Sequence, residues 1–325
     1  MMKLFRIAAA AGLVSGPLLA NDSVAEHASG GLVLTRSADI DMESEDLFVS
    51  ATEVRVAYVF RNRSAKPITA TIAFPLPDWN FAEERDGDAA FPSGFATRVD
   101  GKAVAMRVER KAVLKGVDRT ADLRRLGLPL GDGAGAALDR LPKAEQARLL
   151  AAGLADVDEY DAGRGMERHL VPMWTVKESW YWDQAFPASR AVAIEHRYRP
   201  GAGASVGTPL TIPGFRASAE GRTTIARYCL DSAFLAGVDR LARRAGGDGA
   251  TLPEERIGYV LTTGANWRAP IGRFRLIVDK GAEANLVSFC ADNVRKISAT
   301  RFESVRTNWR PARDLAVLIV KPQPR

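Results

Sequence analysis

Residues 54–77 read VRVAYVFRNRSAKPITATIAFPLP, and this stretch decides the fold class. Val54, Val56, Tyr58 and Phe60 fall on one side of an extended chain, with Arg55 and Arg61 on the other. Alternation of β-branched and aromatic residues at period 2 marks a half-buried strand. Residues 62–67, NRSAKP, have the polar and proline chemistry of a turn. Beyond it Ile68, Ala70, Ile72 and Phe74 share a face, opposite Thr69 and Thr71. Pro75 and Pro77 have no backbone donor for a ladder, so pairing is expected to stop there. The stretch is expected to be a β-hairpin that ends in a proline lock.

The same alternation extends outward. Strand character resumes over residues 95–114, around an Asp100-Gly101-Lys102 turn, and again over 173–182 and 191–198. In the last of these Val192, Ile194, His196 and Tyr198 share a face. Between them, residues 116–170 change period: 120–126 and 138–154 read as helices with an incomplete apolar stripe. This segment is expected to be a helical insertion in a first β domain spanning 21–200. Residues 201–214 are rich in Gly and Pro and read as a linker. After it, 215–325 is expected to be a second small β domain with one helix, over 230–244, capped by Asp231 or Ser232. The run 315–320, apolar on both faces, is expected to be central in its sheet.

The F-x-N-x-S turn, followed by Phe74-Pro75-Leu76-Pro77, resembles the first half of the VIT domain, the β-rich module of vault proteins and inter-alpha-trypsin inhibitor heavy chains. The strand pair around Asp100-Gly101-Lys102 and the tyrosine-bearing strand ending at Tyr198 fit that resemblance. It implies a VIT-like β-sandwich. VIT domains are often followed by a metal-binding domain with a D-x-S-x-S motif, which this sequence lacks. From Asn21-Asp22-Ser23 through Gly30-Gly31-Leu32 to the C-terminus, the chain is similar to an uncharacterised family of secreted bacterial proteins, which implies no activity.

At 325 residues, 46% hydrophobic and 26% charged, the composition is that of a globular protein with room for two domains. The formal charge of +6 is spread along the chain rather than gathered in a stripe, which argues against a nucleic-acid partner. Residues 1–20 read as a signal peptide: Lys3 and Arg6, then an apolar run, with cleavage near Ala20/Asn21. That run is short and broken by Gly12, Ser15, Gly16 and Pro17, so no transmembrane anchor is expected. The protein is expected in the periplasm or outside the cell. There Cys229 and Cys290 read as a disulfide, the alternative being two buried thiols.

Catalytic motifs fail on context. Gly203-Ala204-Ser205-Val206-Gly207 matches a nucleophile elbow, but Pro209 and Pro213 forbid the tight helix that must follow. Gly131-x-Gly133-x-Gly135 sits between helices rather than between a strand and a helix, so it is no dinucleotide loop. Three scattered histidines give no metal spacing, and no cofactor is expected. Asp39, Asp41, Glu43 and Glu45 form an acidic strand face, expected to be solvated. The expected function is therefore non-catalytic binding or envelope scaffolding, with an envelope protein or glycan as partner. Trp174, Trp180, Trp182 and Trp267 are the candidate ligand contacts. Two alternatives stand beside it. One is a secreted hydrolase using Asp183, Glu195 and His196 as an acid-base set. The other is a peptide-binding module with an open edge strand.

Overall fold

Strands form over Val54–Asn62 and Ile68–Pro75, but they do not pair with each other. A computed structural model describes residues 22–28, 31–81, 92–161 and 165–323, and the fold is mainly β. Val54–Asn62 lies between Ile40–Val49 and Ala191–Arg199 in an eight-stranded sheet. Ile68–Pro75 lies in a seven-stranded sheet, paired with Thr175–Phe186 and with Ser23–Ala28. The expected hairpin is thus an arch that carries the chain from one sheet to the other. Its two apolar faces meet across the core: Val56, Tyr58 and Phe60 on one side, Ile72 and Phe74 on the other. Asn62 fixes the crossing. Fully buried, it donates through Nδ2 to the Lys66 and Phe186 carbonyls at 2.8 and 3.0 Å. Its Oδ1 accepts from the Ser64 N–H at 2.9 Å. Period-2 alternation and a polar turn fit either geometry, because both give strands with one buried face.

The acidic strand also differs from expectation. A bulge between Met42 and Ser44 inverts the alternation along Ile40–Val49. Glu45 therefore turns into the core, fully buried, while Asp41, buried under arginines, and half-buried Glu43 lie on the other face. Those two are not a solvated face. Arg268 and Arg63 bond Asp41, and Arg61 and Arg63 bond Glu43.

The insertion leaves and rejoins one sheet. Arg107–Leu114 and Thr175–Phe186 are antiparallel neighbours. Between them the chain makes helices Thr120–Arg125, Ala134–Asp139 and Lys143–Ala151, then the hairpin Ala155–Asp161 with Met166–Pro172. Leu123, Leu138, Leu149, Leu170 and Trp174 give it a core of its own. The expected helix over 138–154 is broken at Arg140–Pro142 because Pro142 cannot continue the previous turn.

The expected linker and two-domain division need correction. Within 201–214, Ala202–Ser205 is a strand paired with Glu254–Ile257, and Leu210 is buried. Beyond it, Ile271–Asp279 runs parallel to Ile40–Val49, and Arg301–Trp309 extends the same eight-stranded sheet. Ile257, Tyr259, Trp267, Phe274 and Val317 share one core with Val56, Phe60 and Phe74. Arg295–Lys296 also joins the eight-stranded sheet, while Ala202–Ser205, Glu254–Tyr259, Leu315–Val320 and Leu286–Phe289 form a four-stranded sheet, with Leu315–Val320 paired on both sides as expected.

This region has two α-helices rather than one. Ser232–Arg244 is capped by the Asp231 carboxylate, which accepts from the Phe234 N–H at 2.7 Å. Ala219–Tyr228 was hidden by its polar sequence. Its cap Ser218 accepts from the Gly221 N–H, and a Cβ at Gly221 would lie 1.9 Å from the Phe215 carbonyl oxygen. A disulfide joins Cys229 to Cys290, tying the end of that helix to the strand Leu286–Phe289. The signal-peptide expectation, at residues 1–20, lies outside the described residues.

Candidate functional site

The tryptophans expected to meet a ligand are mostly core residues. Trp174 is fully buried and donates through Nε1 to the Leu130 carbonyl at 2.8 Å. Trp182 is buried and donates to Gln184 Oε1, and Trp267 is buried and donates to the Asp22 carbonyl at 2.9 Å. Trp180 is half-buried, stacked on Phe95 with centroids 5.1 Å apart, its Nε1 bonded to Glu178. Trp180 and Trp182 do share a strand face, but that face points inward.

Nor does the fold assemble the acid-base set. Asp183 is exposed on the outer face of the seven-stranded sheet, where the Thr71 hydroxyl and then the Arg107 guanidinium hold its carboxyl below the usual range. Glu195 and His196 are consecutive on one strand and so point to opposite faces. The His196 side chain is wholly buried. Its Nε2 lies 3.1 Å from both Asp22 carboxylate oxygens and its Nδ1 2.8 Å from Thr97 Oγ1. Phe74, Phe95, Tyr58 and Trp182 pack around the ring. Burial pushes the Asp22 carboxyl up, against the pull of His196. Nearby, the Tyr58 and Tyr259 hydroxyls bond at 2.9 Å, with Glu45 Oε1 3.4 Å from Tyr259. The His196 and Asp22 side chains of this polar seam are wholly buried.

The two large sheets end mostly in short strands, whereas Ala155–Asp161 and Met166–Pro172 pair only with each other and are seven-residue edges. Lys102–Val104, Arg295–Lys296 and Val117–Asp118 are two or three residues long. Gly31–Thr35 is longer, but the Leu32 N–H already bonds Glu109 Oε1 at 3.0 Å.

A broad concavity lies instead on the outer face of the eight-stranded sheet. It has a volume of about 680 Å³ and spans six strands, from Arg301 to Ala96. Register places two cross-strand rows in it. One runs Arg98, Glu195, Ala57, Asp46, Arg275. The other runs Ala96, Arg197, Arg55, Phe48, Ile277. Alanines lower the floor between long arginine side chains. Carboxylates at the margin hold those arginines: Glu53 pairs with Arg55 and Arg197, Glu303 with Arg275, and Asp279 with Arg301. Arg55 and Arg301 also lie over the Phe48 ring, at 4.6 and 5.6 Å from its centroid. The Arg98 side chain bonds the Gly101 carbonyl at 2.9 Å, and the Glu195 side chain makes no hydrogen bond to a described residue. Of these residues only Glu195 was singled out from sequence, and for another role. The signal was present, in Arg and Ala at the solvent-facing positions of separate strands, but only pairing gathers them.

Among the described residues there is no cluster of three or more His, Cys, Asp or Glu side chains suited to a metal ion. No helix among them is long and apolar enough to cross a membrane.

A family model described as a domain of unknown function (DUF4424) matches residues 20–318. No curated protein matches the sequence. A solved structure titled a "putative nutrient binding protein" from Legionella pneumophila is 15% identical, over 92% of this chain and 72% of that one, with a TM-score of 0.42. An M1 zinc metallopeptidase from Deinococcus radiodurans is 10% identical, over 88% of this chain and 44% of that one, with a TM-score of 0.27. Likenesses this loose carry no functional argument. The VIT resemblance expected from Phe74-Pro75-Leu76-Pro77 finds no support in these matches.

Proposed function

The chain belongs to the DUF4424 family, and we propose that this member is a non-catalytic binding protein whose site is the arginine-lined groove. One observation carries the reading. A concavity of about 680 Å³ gathers arginine side chains that neighbouring carboxylates hold in place, and such preorganised polar groups are what orient a ligand. By contrast, His196 is sealed in the core, and neither Glu195 nor Asp183 stands near it as a catalytic partner. The protein acts outside the cytoplasm, in the periplasm or beyond. Lys3, Arg6 and the apolar run after them support this, as does a disulfide, which persists in oxidising compartments.

Arginine-directed labelling tests the site without knowing the ligand. The purified protein is labelled with phenylglyoxal in buffer and in extract of its own envelope fraction, and read by peptide mass spectrometry. Arg55, Arg98 and Arg197 are expected to be protected by the extract. In Ala57→Trp, which fills the floor, that protection should vanish while the melting temperature holds. Equal labelling in buffer and extract removes the groove as the site.

A further inference from the structure

We infer that the ligand of this groove is a linear acidic glycan, an inference that rests on the groove being the binding site. The shape comes first. Six strands at a spacing of about 4.8 Å make a trough roughly 24 Å long, and its two side-chain rows lie about 7 Å apart. A trough this long and narrow fits an extended polymer rather than a compact molecule.

The chemistry of the walls narrows the class. Arg301 and Arg275 stand toward one end, Arg55 in the middle, and Arg197 and Arg98 toward the other. A guanidinium offers five N–H donors in a planar fork. Arg275 and Arg301 bond their marginal carboxylates through Nε, and Arg55 and Arg197 approach Glu53 most closely through Nε. The terminal nitrogens of Arg55, Arg197 and Arg301 carry no hydrogen bond to a described residue. The marginal pairs fix where those forks stand, so little side-chain entropy is lost when an anion docks. Anionic groups repeated along a chain complement arginines repeated along a trough.

Two features separate a glycan from an acidic peptide. The strands under the groove are inside the sheet, with backbone groups engaged in ladders to their neighbours, so a peptide gains no backbone pairing there. In addition, Glu195 and Asp46 sit in the floor among the arginines. They repel a ligand that carries only carboxylates. Sugar hydroxyls, however, donate to such carboxylates while the uronate or other acidic groups of the same chain accept from arginine. A floor that mixes cations with anions therefore matches a polymer rich in both hydroxyls and acidic groups.

Isothermal titration with three probes decides the matter: polygalacturonate, neutral dextran and poly-L-glutamate. Polygalacturonate is expected to bind with an affinity that falls as salt rises, dextran not to bind, and poly-L-glutamate to bind at least tenfold more weakly. Arg55→Ala and Arg98→Ala should each weaken polygalacturonate about tenfold, as expected for loss of one charge-assisted hydrogen-bonded contact. Arg55→Lys should recover only part of that loss, since the planar fork is gone. Both arginines are exposed, and an unchanged melting temperature excludes misfolding. Failure of polygalacturonate to bind overturns the inference. If the groove arginines are still protected in envelope extract, the binding reading survives with another ligand. Poly-L-glutamate binding as tightly as polygalacturonate assigns the groove to acidic peptides instead. Binding unaffected by both alanine substitutions places the glycan elsewhere.

Discussion

Asp41 shows how a residue that reads as surface becomes a structural post. Its carboxylate accepts from Arg268 Nε and from Arg63 Nε, at 2.8 and 2.7 Å. Burial alone would raise its carboxyl, but the bonds from Arg268 and Arg63 outweigh burial and hold it below the ordinary value of 3.8. A depressed carboxyl binds fewer protons folded than unfolded, so its contribution is fully present above that ordinary value. It is lost as pH falls through the lowered one. Asp41→Asn is expected to cost about 2 kcal/mol at pH 7, in the range of hydrogen bonds to charged groups. Urea unfolding at pH 7 and at pH 3 checks this: the gap between variant and parent should shrink at the lower pH. A constant gap would mean that the carboxylate's charge plays no part. His196 is the converse case. Its place on an apolar strand face was legible, since Val192, Ile194 and Tyr198 flank it at period 2. Its partner was not, because Asp22 lies 174 positions away and nothing local links them.

At the level of elements, alternation and turn chemistry located most strands but could not say which strands pair. Residues 54–77 illustrate the limit: both strands and the turn were legible, whereas the arch is decided by distant partners of Val54–Asn62 and Ile68–Pro75. The groove escaped notice for the same reason, its lining being drawn from six strands. Helix Ala219–Tyr228 escaped because only Ile225 and Tyr228 are large and apolar in it. That helix is held at its end by the Cys229–Cys290 bond, which closes a 61-residue separation. On the chain-entropy model such a link contributes about 4 kcal/mol. Cys229→Ser with Cys290→Ser is expected to lower stability by up to that amount. Amide exchange should quicken first in Ala219–Tyr228 and Leu286–Phe289, leaving Val54–Asn62 protected. Uniform quickening would show that the bond supports the whole fold rather than this corner. In the insertion, His169 joins two elements: its Nδ1 lies 2.9 Å from Asp139 at the end of Ala134–Asp139, and its Nε2 3.2 Å from Glu167. The hydrogen bonds to Asp139 and then Glu167 raise its imidazole above 6.5. The contribution is thus full below that value and is lost as pH rises through the raised one. Histidine titration followed by NMR should show the upward shift, and Asp139→Asn should reduce it.

On the scale of the molecule, composition suits two domains, yet one core joins the two ends of the chain. Had residues 22–200 been a domain, their main sheet would end at Ile40–Val49. Instead that strand is paired on its far side with Ile271–Asp279, six residues in parallel register from Arg273↔Ser44 to Val278↔Val49. Parallel pairing between segments so distant in sequence cannot form until both are present, and closing the loop costs entropy that only the completed core offsets. Trp267 strengthens the same bond from outside the sheet. It packs on Phe60, with centroids 4.5 Å apart, and its indole holds the Asp22 carbonyl at the start of the described chain. Tyr259 reaches Tyr58 across the core through their hydroxyls. Removing residues 201–325 therefore bares Val49, Val56 and Phe60 on one side and leaves the Glu45 carboxylate without Tyr259. The fragment 22–200 is expected to give no cooperative thermal transition and no near-ultraviolet circular dichroism. Mixing it with residues 201–325 from a separate chain should restore both signals. A fragment that melts cooperatively by itself would show that its sheet closes without Ile271–Asp279, and the shared core would then be an accessory to two independent folding units.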